Sequence, residues 1–278
     1  MELALGARPK SRELPIFRNT PFLDVKLRYK NKTVRARAVL DTGAADIYVP
    51  KGVVEKLGLK ISDLERGTRF YGVKGGKTTY PFVLDEMSLP DAPGCRLGPI
   101  YARTSRIDPI GVILLGRPFI RAAGMKITFE RFKDTFRLLC PRRDVTARET
   151  GRPIQLDDPR SMFRRFTFEV DGKTMTGPCF VDTGATVTLL PLWLSRDLGV
   201  RTRAVPLRAG GAAGSFTVLV GEIDGMTLVG TSCVHQGPVR VLVSPHARIP
   251  IVGVDFFWAT GMTIDFAESI PKISCSWR

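Results

Sequence analysis

The sequence predicts a mainly β protein with short helices, built as two similar halves. Alternating apolar and polar residues, separated by turns rich in Gly and Asn, indicate antiparallel strands. The chain also contains an internal repeat, and each copy ends with the same order of apolar run, short helix and strand. A length of 278 residues suits one large domain or two small ones.

The internal repeat is visible without gaps over its first block, in which residues 22–60 match residues 163–201 at an offset of 141. A second block matches residues 116–129 with residues 253–266 at an offset of 137. The offset therefore changes by only four residues along the copy. A repeat of this kind predicts two superposable halves related by a pseudo-two-fold axis.

Each half has the same predicted elements in the same order. A hairpin of two strands comes first, then a short strand (47–49 or 188–190) and a short helix (53–57 or 194–198). The helices are predicted to stop at Gly58 and Gly199, because glycine commonly follows a helix C-terminus. A Gly-rich hairpin, a closing apolar run, a short helix and a last strand complete the half.

The predicted domain organisation follows from the repeat and from one polar segment. Residues 141–162 are rich in charged residues and proline and poor in apolar ones, which is typical of a linker. We therefore expect an N-terminal arm at 1–21, a first half at 22–140, this linker, and a second half at 163–278.

Five cysteines and two histidines limit the metal and redox chemistry that the sequence predicts. The cysteines are odd in number, scattered and without CxxC spacing, and the histidines have no partner at ligand spacing. This pattern predicts neither a disulfide framework nor a zinc site. We expect no metal and no cofactor.

The net charge of +15 is the unusual bulk property of the chain. Such an excess could attract nucleic acid or other anionic partners. However, Lys26, Arg28 and Lys30 alternate with apolar residues, as on the solvent face of a half-buried strand. The sequence also has no recognised nucleic-acid-binding motif. Solvated strand faces are therefore the preferred interpretation, with a nucleic-acid role as the open alternative.

No apolar segment approaches the roughly 20 residues that a membrane-spanning helix needs. The N-terminal residues also lack the apolar core of a signal peptide. The sequence thus predicts no membrane span and a cytoplasmic location.

Two aspartates stand at the same point of the two halves. Asp41 and Asp182 each follow an apolar run, residues 38–40 and 179–181. A lone charged carboxylate at such a buried place would be costly. If the halves pack about a pseudo-two-fold axis, the two carboxyl groups face each other and share one proton. The ionised group can then take a proton from water while the protonated group polarises a carbonyl.

The residues after each aspartate fit a tight loop that supports such a pair. Gly43 and Gly184 permit a sharp turn and offer N–H groups to the carboxylates. Hydroxyl groups that could cross-link the two loops come from Thr42 and Thr183. Small side chains keep the floor of the cleft low, and these are Ala44 and Ala185.

Together, these motifs resemble the retropepsin family of aspartic peptidases. The resemblance rests on the two Asp-Thr-Gly-Ala segments and on two later apolar-apolar-Gly elements, Leu114-Leu115-Gly116 and Ile251-Val252-Gly253. It covers about 22–140 and 163–277. It implies a closed β-barrel per half and an aspartic endopeptidase that hydrolyses an extended polypeptide with Asp41 and Asp182. Retroviral members are homodimers, so this chain is similar to such a dimer fused into one polypeptide and active as a monomer.

The resemblance also implies flaps over the cleft, which the two Gly-rich hairpins match. Their residues are Tyr71, Gly72, Val73, Lys74, Gly75 and Gly76 in the first half, and Ala209, Gly210, Gly211 and Ala212 in the second. The second hairpin lacks an aromatic residue, so we expect unequal contacts on the two sides of the cleft. A plain β-turn is the alternative for either hairpin.

One family feature is only partly present. Arg117 after Gly116 matches a retroviral Gly-Arg pattern in which the arginine pairs with an aspartate just beyond the catalytic loop. That partner position is Ala45 here, and Asp46 follows it. The second half has Val254 and Thr186 at these places and cannot form the pair.

Two other functions stay open on the sequence. A non-catalytic peptide-binding or interaction module could use the same fold. A pepsin-like bilobal peptidase would have similar chemistry, but the short offset of 141 and the alanine after each Asp-Thr-Gly disfavour it.

Overall fold

The computed structural model describes residues 20–64, 67–72, 75–90, 92–108, 111–132, 135–140, 145–146, 162–211, 214–268 and 270–276. Within these ranges the chain forms short strands and four short helices, in nearly the same order in each half. The predicted mainly β fold with two similar halves is confirmed.

The first half begins with the predicted hairpin and helix. Its helix ends before Gly58, whose φ of +82° is the left-handed backbone that glycine adopts readily. A 3-10 turn follows at Ile61–Asp63. The strands and helices are β1 (Phe22–Tyr29), β2 (Lys32–Leu40), α1 (Lys51–Lys56), β3 (Thr68–Gly72), β4 (Gly75–Leu84), β5 (Glu86–Leu89), β6 (Ala92–Gly98), β7 (Ile100–Thr104), β8 (Ile113–Leu115), α2 (Arg117–Ala122), β9 (Lys126–Phe129) and β10 (Phe136–Leu139).

The second half repeats this order with longer strands. Between the halves, β11 (Val145–Thr146) pairs with β6. The second half contains β12 (Phe163–Val170), β13 (Lys173–Val181), β14 (Leu189–Pro191), α3 (Leu192–Leu198), β15 (Thr202–Gly211), β16 (Gly214–Leu228), β17 (Val234–Ser244), β18 (Ile251–Val252), α4 (Val254–Thr260), β19 (Met262–Asp265) and β20 (Lys272–Cys275).

The second half closes into a barrel through backbone pairing. Its strands run in the order β12-β13-β18-β14-β17-β16-β15, and β12 also pairs with β16. In the first half, the counterpart of β16 is divided at Asp85 into β4 and β5. There β5 pairs with β1 and β4 with β7, while Tyr48 bridges β7 to β8. The described strands of the first half thus repeat the pairing order, but only the isolated bridges of Tyr48 connect its six-stranded and three-stranded sheets, so the closed barrel expected for each half is found in the second.

A four-stranded sheet joins the halves, in the order β10-β9-β19-β20. In its centre, Ile127 of β9 lies opposite Ile264 of β19 in an antiparallel register. These two isoleucines are equivalent residues at the repeat offset of 137, so the pseudo-two-fold axis passes between them. Phe129 packs on Phe257 of the other half, with ring centroids 5.3 Å apart. Aromatic burial of this kind helps to hold the halves together.

The strand faces follow the pattern that the sequence predicts. Along β1, Val25 and Leu27 are fully buried, whereas Arg28 is exposed. The basic residues of this strand therefore occupy its solvent side. Whether any anionic partner binds there stays a prediction.

Two disulfides overturn the expectation drawn from the cysteine pattern. Cys95 is bonded to Cys140 and Cys233 to Cys275, which leaves Cys179 as a buried thiol. The two bonds are copies of one another, since their cysteines are related by offsets of 138 and 135, close to those of the repeat. Comparing cysteines across the repeat shows that Cys95 and Cys140 correspond to Cys233 and Cys275, but not which cysteine bonds which. The scattered spacing of the cysteines led to the wrong expectation because each disulfide joins segments that are distant in sequence.

Both disulfides connect the joining sheet to the barrel of the same half. Cys140 follows β10 and Cys275 lies in β20, the two edge strands of that sheet. The partner of Cys140, Cys95, belongs to β6, and the partner of Cys275, Cys233, directly precedes β17. Because disulfides persist in oxidising compartments and are rare in the cytosol, the pairing bears against the cytoplasmic location, which stays a prediction.

We expect reduction of the disulfides to destabilise the folded protein measurably. Their sequence separations of 45 and 42 correspond to about 4 kcal/mol each from the lost constraint on the unfolded chain. Urea unfolding with and without reductant measures this difference. Thiol titration of the unfolded, unreduced protein should find one thiol, and five after reduction. Five thiols without reductant would contradict the pairing.

The predicted linker and arm lie mostly outside the described residues. Of the linker, β11 adds to the edge of the first-half sheet, and Met162 is fully buried in the core. The arm contributes only positions 20 and 21 to the described residues. The domain boundaries therefore stay predictions. No helix in the described part of the chain is long and apolar enough to cross a membrane.

Candidate active site

Asp41 and Asp182 lie where two strands of equivalent position end. The N–H of Asp41 donates to Leu115 O at 3.1 Å, and that of Asp182 donates to Val252 O at 3.0 Å. These acceptors belong to β8 and β18, which run parallel to β2 and β13. The apolar-apolar-Gly elements thus lie directly beside the strands that carry the aspartates and hold their ends in place.

Gly116 and Gly253 allow the loop after each aspartate to fold closely over these strands. A Cβ on Gly116 would lie 2.1 Å from Asp46 O, and one on Gly253 would lie 2.6 Å from Ala185 O. Real Cβ contacts are much longer, so both positions require glycine because of close backbone approach. This is the physical reason for the glycine in each apolar-apolar-Gly element.

The two threonines cross-link the loops reciprocally. The N–H of Thr42 donates to Thr183 Oγ1 at 2.9 Å, and the N–H of Thr183 donates to Thr42 Oγ1 at 3.0 Å. Each hydroxyl then donates to a carbonyl of the other half, Val181 O at 3.0 Å and Leu40 O at 2.7 Å. Both threonines are fully buried. These four bonds fix the distance between the loops.

The carboxyl groups of Asp41 and Asp182 are thereby brought together and hydrogen-bond each other. Asp182 Oδ1 accepts the N–H of Gly184 at 2.8 Å and that of Gly43, from the other half, at 3.1 Å. Asp41 Oδ1 accepts the N–H of Ala44 at 2.8 Å. A Cβ on Gly43 would meet Asp182 and one on Gly184 would meet Asp41, so each glycine lies against the carboxyl group of the opposite half.

The two carboxyl groups are electrostatically unequal. Burial, and then the charge of Asp182, raise the pKa of Asp41 well above its ordinary value. Burial also raises the pKa of Asp182, but the N–H groups of Gly184 and Gly43 and the charge of Arg117 oppose that shift. Both shifts favour a pair that holds one proton between its two carboxyl groups.

Arg117 is the buried cation near this pair, and it belongs to the first half alone. Its Nη1 donates to Thr42 O at 2.9 Å and Gly43 O at 3.3 Å, and its guanidinium lies 5.8 Å from the ring centroid of Phe180. Burial lowers the pKa of Arg117, while the charges of Asp41 and Asp182 oppose this shift. The arginine therefore supports the first loop through its backbone carbonyls.

Asp46 bonds a different arginine. Its Oδ2 accepts Arg103 Nε at 2.6 Å. Arg103 lies on β7, about sixty residues further along the chain, and no motif in the sequence marks it. The second half uses neither arginine. There Asp255, in the first turn of α4, accepts the N–H of Thr188 at 3.0 Å and its hydroxyl at 2.9 Å.

Asp255 makes the stability of the fold dependent on pH. Burial raises its pKa to about 6, from an ordinary 3.8. Since the folded state binds this proton more tightly than the unfolded state, the stabilisation is complete below about pH 4 and is lost as pH rises through about 6. The whole shift corresponds to about 3 kcal/mol.

Asp255 should lower the unfolding free energy of the wild type by about 3 kcal/mol between about pH 4 and about pH 7.5. We expect Asp255→Asn to lack this contribution to the pH dependence. Urea unfolding at both pH values measures this. Asp24→Asn, at an exposed position of β1, is the control and should leave the difference unchanged. An unaltered pH dependence in Asp255→Asn would contradict the role of burial.

The two Gly-rich hairpins occupy equivalent places. β3 and β4 pair up to Gly72 and Gly75, and β15 and β16 up to Gly211 and Gly214. Tyr71 lies opposite Gly76, Gly210 lies opposite Ser215, and Ala209 is buried. Val73, Lys74 and Ala212 lie outside the described residues. The role of the hairpins as flaps stays a prediction.

In the described ranges, no group of three or more His, Cys, Asp or Glu residues could hold a metal ion. At the loops, the only convergent acidic side chains described are Asp41 and Asp182, and backbone N–H groups occupy part of their acceptor capacity. The chemistry that this arrangement supports is proton transfer between the two carboxyl groups and a bound water.

Comparison with known proteins finds one family twice in this chain. The model of a family described as aspartyl protease matches residues 25–119 and 166–256. One similar solved structure is a retropepsin-like aspartic protease from Rickettsia conorii, with 21% identity, 42% of this chain and 80% of that chain covered, and a TM-score of 0.33. No curated protein matches significantly.

Proposed function

This chain belongs to the aspartyl protease family, as a tandem duplication of its domain, and on that premise we propose that it is an endopeptidase. Its substrate is an extended polypeptide that binds between the two halves. Asp41 and Asp182 are the catalytic pair, and the two Gly-rich hairpins close over the substrate as flaps. One chain supplies both aspartates, so the active form is a monomer.

One observation carries the proposal. Two half-buried carboxyl groups from equivalent positions of the duplicated halves hydrogen-bond each other. A fold does not need to bury two acids side by side, because their mutual repulsion and desolvation are unfavourable. Such an arrangement is useful when one proton must be held and transferred. The reciprocal threonine bonds support the same interpretation because they hold the carboxyl groups at a constant separation.

The unequal surroundings of the two acids assign their roles. Asp182, whose Oδ1 accepts two N–H groups, is the base that takes a proton from the attacking water. Asp41 gives its proton to the oxygen of the scissile carbonyl as the water oxygen bonds to the carbonyl carbon. The resulting tetrahedral diol collapses when Asp182 passes its proton to the amide nitrogen. The C–N bond then breaks, and Asp41 regains a proton from a diol hydroxyl.

Cleavage of an unfolded protein substrate across about pH 3 to about pH 8 tests the proposal. The pKa of Asp41 is raised well above its ordinary value by burial, so the singly protonated pair persists well above the pH at which exposed aspartates ionise. We expect a bell-shaped profile whose alkaline limb marks the loss of this proton. Peptide binding without cleavage over the whole range would instead support the non-catalytic binding module.

A further inference from the structure

Strand pairing identifies equivalent side chains in the two halves independently of sequence similarity. Tyr48 pairs in parallel with Arg103, and its copy Leu189 pairs in parallel with Leu242. The hairpin pairs Gly72–Gly75 and Gly211–Gly214 are related by an offset of 139. Three equivalences follow from these pairings: Thr68 with Leu207, Thr79 with Val218, and Arg103 with Leu242. A fourth, Asp46 with Val187, follows from the repeat offset of 141.

In the first half, all four positions carry polar side chains. Those of Asp46, Thr68 and Thr79 each hydrogen-bond Arg103. Arg103 Nε donates to Asp46 Oδ2 at 2.6 Å, and Arg103 Nη1 donates to Thr68 Oγ1 at 2.6 Å and Thr79 Oγ1 at 3.5 Å. The side chains of Arg103 and Asp46 are 19% and 15% exposed. A largely buried ion pair thus connects the loop after Asp41 to the base of the Gly-rich hairpin.

In the second half, the same positions carry apolar residues. Val218 and Leu242 are buried in a cluster with Phe216, and Val187 packs against it. This cluster is separate from the main core of the barrel. Phe216 is equivalent to Lys77 of the first half, whose Nζ donates to Ile107 O at 2.7 Å. The contrast therefore extends along the hairpin.

Both sets lie beside the two aspartates. Asp46 and Val187 each come five residues after the aspartate of their half. A Cβ on Gly116 would lie within 3 Å of the backbone of Asp46, and one on Gly253 within 3 Å of the backbone of Val187. Each set therefore connects the loop after its aspartate with the Gly-rich hairpin of the same half, and this connecting region is called the wall of that half.

The ion pair is not needed to hold this arrangement. The second half forms the same strand pairings with apolar side chains at the equivalent positions. Burying an ion pair costs desolvation that a well-packed apolar set avoids, and such pairs are frequently neutral or unfavourable for stability. Its presence on one wall alone therefore points to a function in recognition.

We propose that Asp46 and Arg103 form a polar subsite in the first half, and that Val187, Val218 and Leu242 form an apolar subsite in the second. This inference rests on the proposed peptidase function. The preferred substrate then carries a hydrogen-bonding side chain, such as glutamine, on one side of the scissile bond and an apolar side chain on the other. A glutamine side chain can hydrogen-bond those polar atoms of Asp46 and Arg103 that are not used within the set, whereas an apolar side chain would cover the same atoms without pairing them.

The test compares the wild type with Asp46→Val/Arg103→Leu, which copies the second half. Digestion of a peptide library, read by mass spectrometry, identifies preferred sites, and matched peptides with glutamine or leucine on the first-half side give kcat/KM. We expect the glutamine-to-leucine preference to fall by about tenfold or more in the double variant. The control is Glu86→Val/Arg96→Leu, an ion pair of the same 2.6 Å length on β5 and β6, which should keep the wild-type preference.

The outcomes separate this inference from the function on which it rests. If the wild type cleaves peptides and the double variant keeps its preference, the inference is overturned and the peptidase function stands. If the wild type cleaves no peptide, the proposed peptidase function is contradicted. Binding of the same peptides, measured by fluorescence anisotropy, then tests the inference about the two subsites. Tighter binding of the glutamine peptide by the wild type, lost in the double variant, supports it; equal binding overturns it.

A second variant covers the case in which the double variant does not fold. Val187→Thr adds one hydroxyl to the half-buried second-half position at nearly constant volume. We expect it to improve the acceptance of glutamine on the second-half side, measured with the same peptides. An unchanged preference on that side would overturn the apolar subsite.

Discussion

Replacing either Asp41 or Asp182 with asparagine is expected to abolish peptide cleavage and to leave the fold intact. Asparagine keeps the shape of the side chain but can neither hold nor give up the shared proton. Loss of general acid–base catalysis alone lowers rates by about 10²- to 10⁴-fold. Since both acids act on the same proton, each single variant should lose nearly all activity rather than half of it.

The same two variants should be at least as stable as the wild type at neutral pH. Burial raises the pKa of both aspartates, and the charge of Asp182 raises that of Asp41 further, so their ionisation disfavours the folded state as pH rises. Asparagine removes this penalty. Cleavage of a denatured protein, thermal unfolding and circular dichroism measure the effects, with Asp197→Asn on the exposed face of α3 as the control. Substantial activity in both variants would end the dyad mechanism.

Adding one methyl group at Gly43 or Gly184 is expected to cause the second large loss of activity. A Cβ on Gly43 would lie 2.4 Å from Asp182 Oδ2, and one on Gly184 would lie 2.6 Å from Asp41 Cγ. Each carboxyl group must move to relieve the contact. A misplacement of about 1 Å can cost about 10²-fold in rate, and overpacking costs about 1–3 kcal/mol in stability.

Gly52→Ala is the matched control for the glycine variants. Gly52 lies in α1, and a Cβ there meets nothing within 4 Å. Alanine is also favoured over glycine within a helix, so this variant should keep full activity and equal or greater stability. Activity assays and urea unfolding compare the three proteins. Wild-type activity in both Gly43→Ala and Gly184→Ala would show that neither carboxyl group is held as closely as the structure indicates.

Several features could be predicted from the sequence because they are local or repeated. The helix ends at Gly58 and Gly199 follow from the backbone conformation that glycine permits. The facing of Asp41 and Asp182 follows from the duplication, because equivalent residues near a two-fold axis must approach each other. The same symmetry accounts for the reciprocal bonds of Thr42 and Thr183.

Other features depended on which distant strands become neighbours. The partner of Asp46 is Arg103, because β7 lies beside Tyr48 and brings that arginine to the loop. Arg117 instead bonds the carbonyls of Thr42 and Gly43. Spacing along the chain does not reveal such pairs, since each requires the barrel to form first.

The sequence alone was sufficient for the mainly β class, the duplication and the pair of aspartates, because alternation, repetition and loop chemistry are properties of consecutive residues. The tertiary structure was required for the two disulfides and for the polar and apolar walls. Both arise where strands that are distant in sequence pack side by side, and packing rather than spacing decides which side chains then meet.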